Sequence, residues 1–482
     1  MERRWLALKN SARNSANYIN QKLNIMKRIS LSSNLKTIAA VIVFCSVLFS
    51  CSQEKKDLKV ITVSGCVFID NVSMHNAKFG SLSDSGETSA LLVSEGDLLL
   101  AFGEPDGFIG YIMYREEFGL HLEITIDSTA PGILRINDKI HSLYLDNDTE
   151  LSERIGEMNS EDLAVLDLLY VSDVTGEDDI AALNMIAEAN PGIGLSLENI
   201  DSLELVYEIL SMFHPTCLII MDIDLDSRIS DLTANFENLE LVLLGEENLE
   251  VGDFLNELPK LKSLILGGWD PGESNHIQFE KMSGLESLTI AESNIESLDV
   301  LGDLKKLSSL YLIMCDDLRD ISKVKTFPGL QCLSLMDCDT LTELSVLKEI
   351  PSLLWLSFPL ETSQADFDDI LTLHTSLQGV ELLGCENLTD ISSLTRLQKL
   401  KALTIGGMEI DYKTLQQLEG IELIVIEEES FSAAGDEIAA LKEALPGAQI
   451  VPGGGFCMGS GWILLILPVF LLAFGYRRFI RN

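Results

Sequence analysis

A run of potential metal ligands stands at DIDLDSRISD, from Asp222 to Asp231. Asp222, Asp224 and Asp226 alternate, as the first oxygen ligands of a calcium loop do. Such a loop also needs a glycine at its turn and a bidentate glutamate at its end, and Ser227 and Thr233 stand there instead. Alternate residues of a strand share one face, so three solvent-facing acids give the same spacing. The histidines His75, His121, His141, His214, His276 and His374 are scattered. There is no H-E-x-x-H, no Gly-x-Ser-x-Gly and no phosphate-cradling glycine loop. Of the nine cysteines, Cys45 and Cys51 lie in an N-terminal apolar stretch and Cys457 near the C-terminus; none forms a C-x-x-C pair. Zinc and dithiol chemistry therefore have no support in the spacing. No catalytic residue, cofactor or metal is expected, and the chain is read as a non-enzyme.

Charge narrows the partners. Residues 51–455 hold 74 Asp and Glu against 23 Lys and Arg, a net of −51. A body that acidic repels nucleic acid and anionic lipid headgroups, so protein, glycan or cations are the expected partners, protein first, and nucleic acid is not.

The elements that would position a binding surface show as a repeat. The segments LKSLIL, LESLTI, LSSLYL, LQCLSL, LLWLSF, LQGVEL, LKALTI and IELIVI follow one another from Leu261 to Ile426. Their central apolar residues are Leu264, Leu288, Leu310, Leu333, Leu356, Val380, Leu403 and Ile424, at steps of 21–24 residues. The pattern resembles the leucine-rich repeat, L-x-x-L-x-L-x-x-N/C-x-L. That resemblance implies an α/β fold, a leucine-rich-repeat solenoid with a parallel β-sheet on its concave face. One such repeat cannot bury its own apolar face, so neighbours must stack. Looser copies extend upstream around Leu241, Leu218, Leu195, Leu166 and Leu143. GEDDIAALNMIAEANP and SLELVYEILSMFHP read as amphipathic helices closed by Pro191 and Pro215.

Within the repeat, Cys315, Cys338 and Cys385 occupy the N/C position, where a thiol points inward and satisfies loop backbone. They are expected to be free structural thiols, since side chains on adjacent rungs run parallel and suit a disulfide poorly. Residues flanking the paired leucines point to the concave face. Tyr311, Ile313, Met336 and Trp355 cluster there on three neighbouring rungs, with Glu381 on the same face. An apolar aromatic patch of this kind fits protein recognition. Coverage by flanking segments or by a second copy is the alternative.

Residues 52–139 do not follow the repeat. They are rich in β-branched and aromatic residues and read as a small β-rich domain, set before a solenoid over 140–430 and a C-terminal cap over 431–452. The two ends carry address signals. Residues 1–51 form a signal segment with Lys27 and Arg28 before an apolar stretch, and Met26 is its expected working start. LFSC, Leu48–Cys51, resembles the lipobox of bacterial lipoproteins, which implies lipidation of Cys51; simple cleavage after Ser50 is the alternative. Residues 453–482 combine a Gly/Cys motif, a short apolar segment and a basic tip. Gly453, Gly454, Gly455 and Cys457 resemble the sorting tails of the GlyGly-CTERM, MYXO-CTERM and Synerg-CTERM kind, which implies processing near that motif. A plain membrane anchor, with Trp462 and Tyr476 at the interfaces, is the other reading.

Together these readings describe a bacterial protein exported to the outer membrane or cell surface, anchored or released. It would touch the membrane through its N-terminal lipid, its C-terminal segment or both. Its expected role is non-catalytic protein recognition through the concave face; an acidic structural component of the envelope is the alternative.

Overall fold

The computed structural model describes residues 56–453 apart from 66–67, 72–77, 80–88, 103–108, 128–131, 146–149, 173, 175–176, 272–276 and 351–352. Cys51, Gly454, Gly455 and Cys457 lie outside the described residues. Among the described residues no helix is long and apolar enough to cross a membrane.

The N-terminal part is built of two sheets. One holds β1 (Lys59–Ser64), β4 (Ser89–Val93), β7 (His121–Asp127), β8 (Gly132–Ile136) and β9 (Lys139–Leu145); the other holds β2 (Phe68–Asn71), β3 (Lys78–Phe79), β5 (Leu98–Phe102) and β6 (Ile109–Met113). In the first, β4 pairs antiparallel with β1 (Ile61 opposite Leu91), and β1 pairs parallel with β7. From β7 the chain continues antiparallel through β8 to β9. The β8–β9 hairpin turns on Asn137 and Asp138, at φ 51° and 66°. Two consecutive left-handed residues are what a tight hairpin needs, and Asn and Asp tolerate that conformation best after glycine. The second sheet runs β3–β2–β5–β6, all antiparallel. Ile61, Val63, Leu91, Val93, Leu99, Ile112, Leu122 and Ile124 form the core of this part.

The strand β9 belongs to both parts of the chain. It pairs antiparallel with β8 and parallel with β10 (Leu168–Ser172), with Leu143 opposite Leu169. The expected break at 139/140 therefore falls at the start of a shared strand. Beyond it the rungs are β11 (Gly194–Glu198), β12 (Cys217–Met221), β13 (Leu241–Leu244), β14 (Ser263–Gly267), β15 (Ser287–Ala291) and β16 (Ser309–Ile313). Then follow β17 (Cys332–Met336), β18 (Trp355–Ser357), β19 (Gly379–Leu383), β20 (Ala402–Gly406), β21 (Leu423–Glu427) and β22 (Gln449–Gly453). All pair in parallel, and with β1, β4, β7, β8 and β9 they make a sheet of 18 strands.

The chain is a leucine-rich-repeat solenoid, and its register is the one the repeat predicts. Leu264, Leu288, Leu310, Leu333, Leu356, Val380, Leu403 and Ile424 stand opposite one another in sequence. Upstream, Leu143, Leu195 and Leu218 also lie on this row. Two loose copies need a correction: Leu166 precedes its strand and Leu169 takes the row position, and on β13 it is Val242, next to Leu241, that does so. At the other end β22 adds a rung inside the expected cap, following a helix at Gly435–Ala444. Gly453, expected in the tail motif, is the last residue of that strand.

The leucine row faces the interior of the solenoid, where it packs against the convex segments. Two of these are the expected helices, Glu177–Ala189 and Leu203–Met212. The second starts where the Ser202 hydroxyl accepts from Leu205 N, a capping bond that satisfies one otherwise orphaned amide. Later convex segments are mostly single 3₁₀ turns, such as Leu298–Leu301 and Ser322–Thr326.

Candidate functional site

Each rung carries one central residue on its concave side, in a row from Tyr170 on β10 through Tyr311 on β16 to Val451 on β22. All thirteen of these residues are buried, and none is more than 7% exposed. The expected patch lies in the middle of this row. The Tyr311 and Trp355 rings meet edge to face with centroids 5.9 Å apart. Tyr311 is 0% exposed, Ile313 and Trp355 2%, Met336 8% and Glu381 1%. The aromatic surface is thus present and assembled as expected. It is not open to an outside ligand in this structure, because the chain covers it with its own β-rich domain.

The covering domain supplies two contacts, both from the outer faces of its strands. From the first sheet, Leu58, Ala90 and Leu92 join Tyr311, Ile313, Met336, Trp355 and Val425 in one buried cluster. From the second, Leu98 and Tyr111 join Leu168, Cys217, Ile219, Leu243 and Ile265 in another. Alternation explains how one strand does both jobs. In β4, Leu91 and Val93 face the domain's own core while Ala90 and Leu92 face the solenoid. Strands buried on both faces read as continuous apolar runs, which ALLV (Ala90–Val93) is, and Leu98 and Leu99 on β5 divide between the two sides in the same way. That unbroken run is the signal in the sequence that the domain had something to cover on each side. Polar contacts fix the seat: Lys401 Nζ donates to Leu58 O at 2.9 Å, and Lys56 N to Gln331 Oε1 at 3.2 Å.

Where β9 meets β10, a second polar joint closes the structure. Arg115 Nη2 donates to Asp167 Oδ1 at 2.6 Å, and Asp167 Oδ2 lies 3.6 Å from His141 Nε2. His141 Nδ1 lies 3.3 Å from Ser142 Oγ. An Asp–His–Ser series suggests nucleophilic chemistry, but His141 is 3% and Ser142 4% exposed, with the Phe118 ring edge-on to the imidazole. Burial, with the Arg115 charge beside it, holds the imidazole pKa down to about 3, so the ring is neutral. This is an interdomain joint.

The aspartates of DIDLDSRISD also have structural roles. Asp222 directly follows β12 with φ 54°, a left-handed conformation shared by Asn199, Glu292, Met314 and Asp337 after their own strands. It is the residue at which these rungs turn. Asp226 caps the next 3₁₀ segment, accepting from Arg228 N at 3.0 Å and Arg228 Nε at 2.9 Å. Those bonds hold its carboxyl down at about 2. Among the described residues no group of three or more His, Cys, Asp or Glu is placed to hold a metal ion. On the neighbouring rung Glu198 is pushed up to about 7, first by burial and then by the charge of Asp222.

The thiols lie where the repeat places them. Cys315 Sγ donates to Ile290 O at 3.7 Å, Cys338 Sγ to Leu312 O at 3.8 Å and Cys385 Sγ to Pro359 O at 3.6 Å. All three are free and buried, as are Cys217 and Cys332. Burial pushes the Cys217 thiol up to about 12, away from nucleophilic or ligating character. A shallow recess of about 150 Å³ opens where the covering domain meets the starting ends of β14 and β15; Lys56, Asp97, Met113 and Lys262 are among its walls.

No family model matches the sequence, and no curated protein matches it. Solved structures are similar to it at low identity. An internalin from Listeria monocytogenes is 19% identical, over 63% of this chain and 90% of that one, with a TM-score of 0.38. A leucine-rich-repeat protein of Leptospira interrogans is 14% identical, over 63% and 92%, with a TM-score of 0.31. The yeast Rad7 and Elc1 complex gives 15% identity, 60% and 76% coverage and a TM-score of 0.38. It is the rung-by-rung register, and not these likenesses, that makes this chain a leucine-rich-repeat solenoid.

Proposed function

We propose that this chain is an exported bacterial protein, held at or released from the cell surface, that recognises another protein without catalysing a reaction. The observation that carries the reading is the occupied concave face. Tyr311, Ile313, Met336 and Trp355 already grip a β-rich protein surface in this structure, through Leu58, Ala90 and Leu92. The patch therefore has the composition of a protein-binding seat, with Glu381 buried beside it. Its occupant is the N-terminal domain, so an outside partner meets a composite surface made of that domain and the solenoid edges. The lipobox at Cys51 and the motif of Gly453, Gly454, Gly455 and Cys457 supply the proposed address. The neutral, packed His141 and the bonded thiols are in keeping with a role without catalysis.

The test is cross-linking capture of envelope proteins with the full chain, followed by peptide mapping. A stoichiometric partner cross-linked to the outer surfaces of the covering domain and the solenoid is the expected result. A chain as abundant as the major envelope proteins, with no partner retained, overturns the reading in favour of an acidic structural component.

A further inference from the structure

The two edges of the solenoid sheet differ in charge. The five residues that follow each strand from β11 to β21 include 19 Asp and Glu and no Lys or Arg. The five that precede each of the same strands include Lys260, Lys262, Lys305, Lys306, Lys399 and Lys401 against five acids. One edge is a continuous acidic ridge. The other is close to neutral: its lysines stand before β14, β16 and β20, with Glu240 and Glu286 before β13 and β15, and each rung's backbone is bonded to the next. Lys262 N donates to Glu240 O, Glu286 N to Lys262 O, Ser308 N to Glu286 O and Gln331 N to Ser308 O, at 2.8–2.9 Å.

A second observation, independent of charge, singles out the same edge. Residues 56–58 lie along it. Lys56 bonds Gln331, the last residue before β17, and Leu58 bonds Lys401, the last residue before β20. Cys51 is five residues upstream of Lys56. Five extended residues reach ~18 Å at most. An acyl chain on Cys51 would therefore hold this edge close to the bilayer. The last described residue, Gly453, ends its strand on the opposite, acidic edge.

We propose that the strand-starting edge, with Lys260, Lys305, Lys306 and Lys399 exposed along it, is the face that lies toward an anionic lipid surface, and that the acidic ridge points away from it. This rests on the readings that Cys51 carries a lipid and that the tail after Gly453, which leaves from the opposite edge, is processed at its Gly/Cys motif and not kept as an anchor. Tether and charge act in the same direction. The short leader brings the lysine edge near the headgroups, and repulsion of the ridge by the same headgroups disfavours the inverted pose within a Debye length of ~8 Å. The solenoid thus stands on edge, with its strands running outward from the membrane.

The test uses the full chain with its own leader and tail, purified from a bacterial membrane. Mass spectrometry of the N-terminal peptide establishes whether Cys51 carries a diacylglyceryl group. The protein is then reconstituted into phosphatidylethanolamine–phosphatidylglycerol vesicles carrying a spin label on the headgroups. A fluorophore is placed by Lys306→Cys or by Asp316→Cys, at opposite ends of β16, with the parent chain as labelling control. Quenching at least twofold stronger at position 306 is expected. Equal or reversed quenching on acylated protein overturns the orientation and leaves the lipid reading intact. An unmodified Cys51 overturns that reading, and the proposal with it.

Discussion

The indole of Trp355 lies across the Cα of Gly379 on the next rung, so closely that a Cβ there would sit 2.4 Å from Trp355 Cδ1 and 3.0 Å from Leu92 Cδ2. The absent side chain of one rung is what lets the aromatic ring of another lie flat beneath the covering domain. Gly379→Ala should therefore act as overpacking at the domain seat, lowering stability by about 1–3 kcal/mol. Because Leu92 belongs to β4, amide exchange should rise in Ser89–Val93 and Lys59–Ser64 more than in the distant rung Gly194–Glu198. Uniform exchange across the chain would show that the seat is not where the strain falls.

His141 makes the interdomain joint sensitive to acid. Its folded-state pKa, about 3, lies below the ordinary value of 6.5, so the folded protein holds the ring neutral. Its contribution is complete above about pH 6.5 and declines as pH falls toward 3. His141→Asn should flatten stability over that window while leaving the slope above pH 7 unchanged. Denaturant titrations at intervals of one pH unit would check this, and an unchanged acid slope would count against the joint.

Glu198 has the opposite sign. Its folded pKa, about 7, is raised above the usual 4.5, so the folded state binds a proton that the unfolded state releases. Its contribution is full below about pH 4.5 and lost as pH rises through 7. Glu198→Gln should remove this decline and make the protein relatively more stable near pH 8. If the decline persists in the variant, another group is responsible.

The buried thiols Cys217, Cys315, Cys332, Cys338 and Cys385 should resist alkylation in the native protein and all react in denaturant without reductant. Rapid native labelling of any of them would mean that the rungs open locally. Replacing Cys338 by Ala removes a weak second donor from Leu312 O, a carbonyl already in the β16–β17 ladder, and leaves a small void, so it should cost only about 1 kcal/mol.

Much of this molecule is determined by the sequence alone. The row from Leu264 to Ile424 sets strand position, register and the inward aim of Cys315 and Cys338, because each repeat is local and must share its apolar face with its neighbour. Which surface of that solenoid stays open was decided only by the tertiary structure. Tyr311 and Trp355 read as exposed because the repeat says which side of the sheet they occupy, and nothing about what lies on that side. The continuous apolar run at Ala90–Val93 shows a strand buried on both faces but does not name the second partner. Its partner is more than 200 residues away in the chain, where only folding brings Leu92 against Trp355. The charge difference between the two edges was likewise written in the sequence all along. It became a feature of one surface only when eleven separate five-residue segments were stacked side by side.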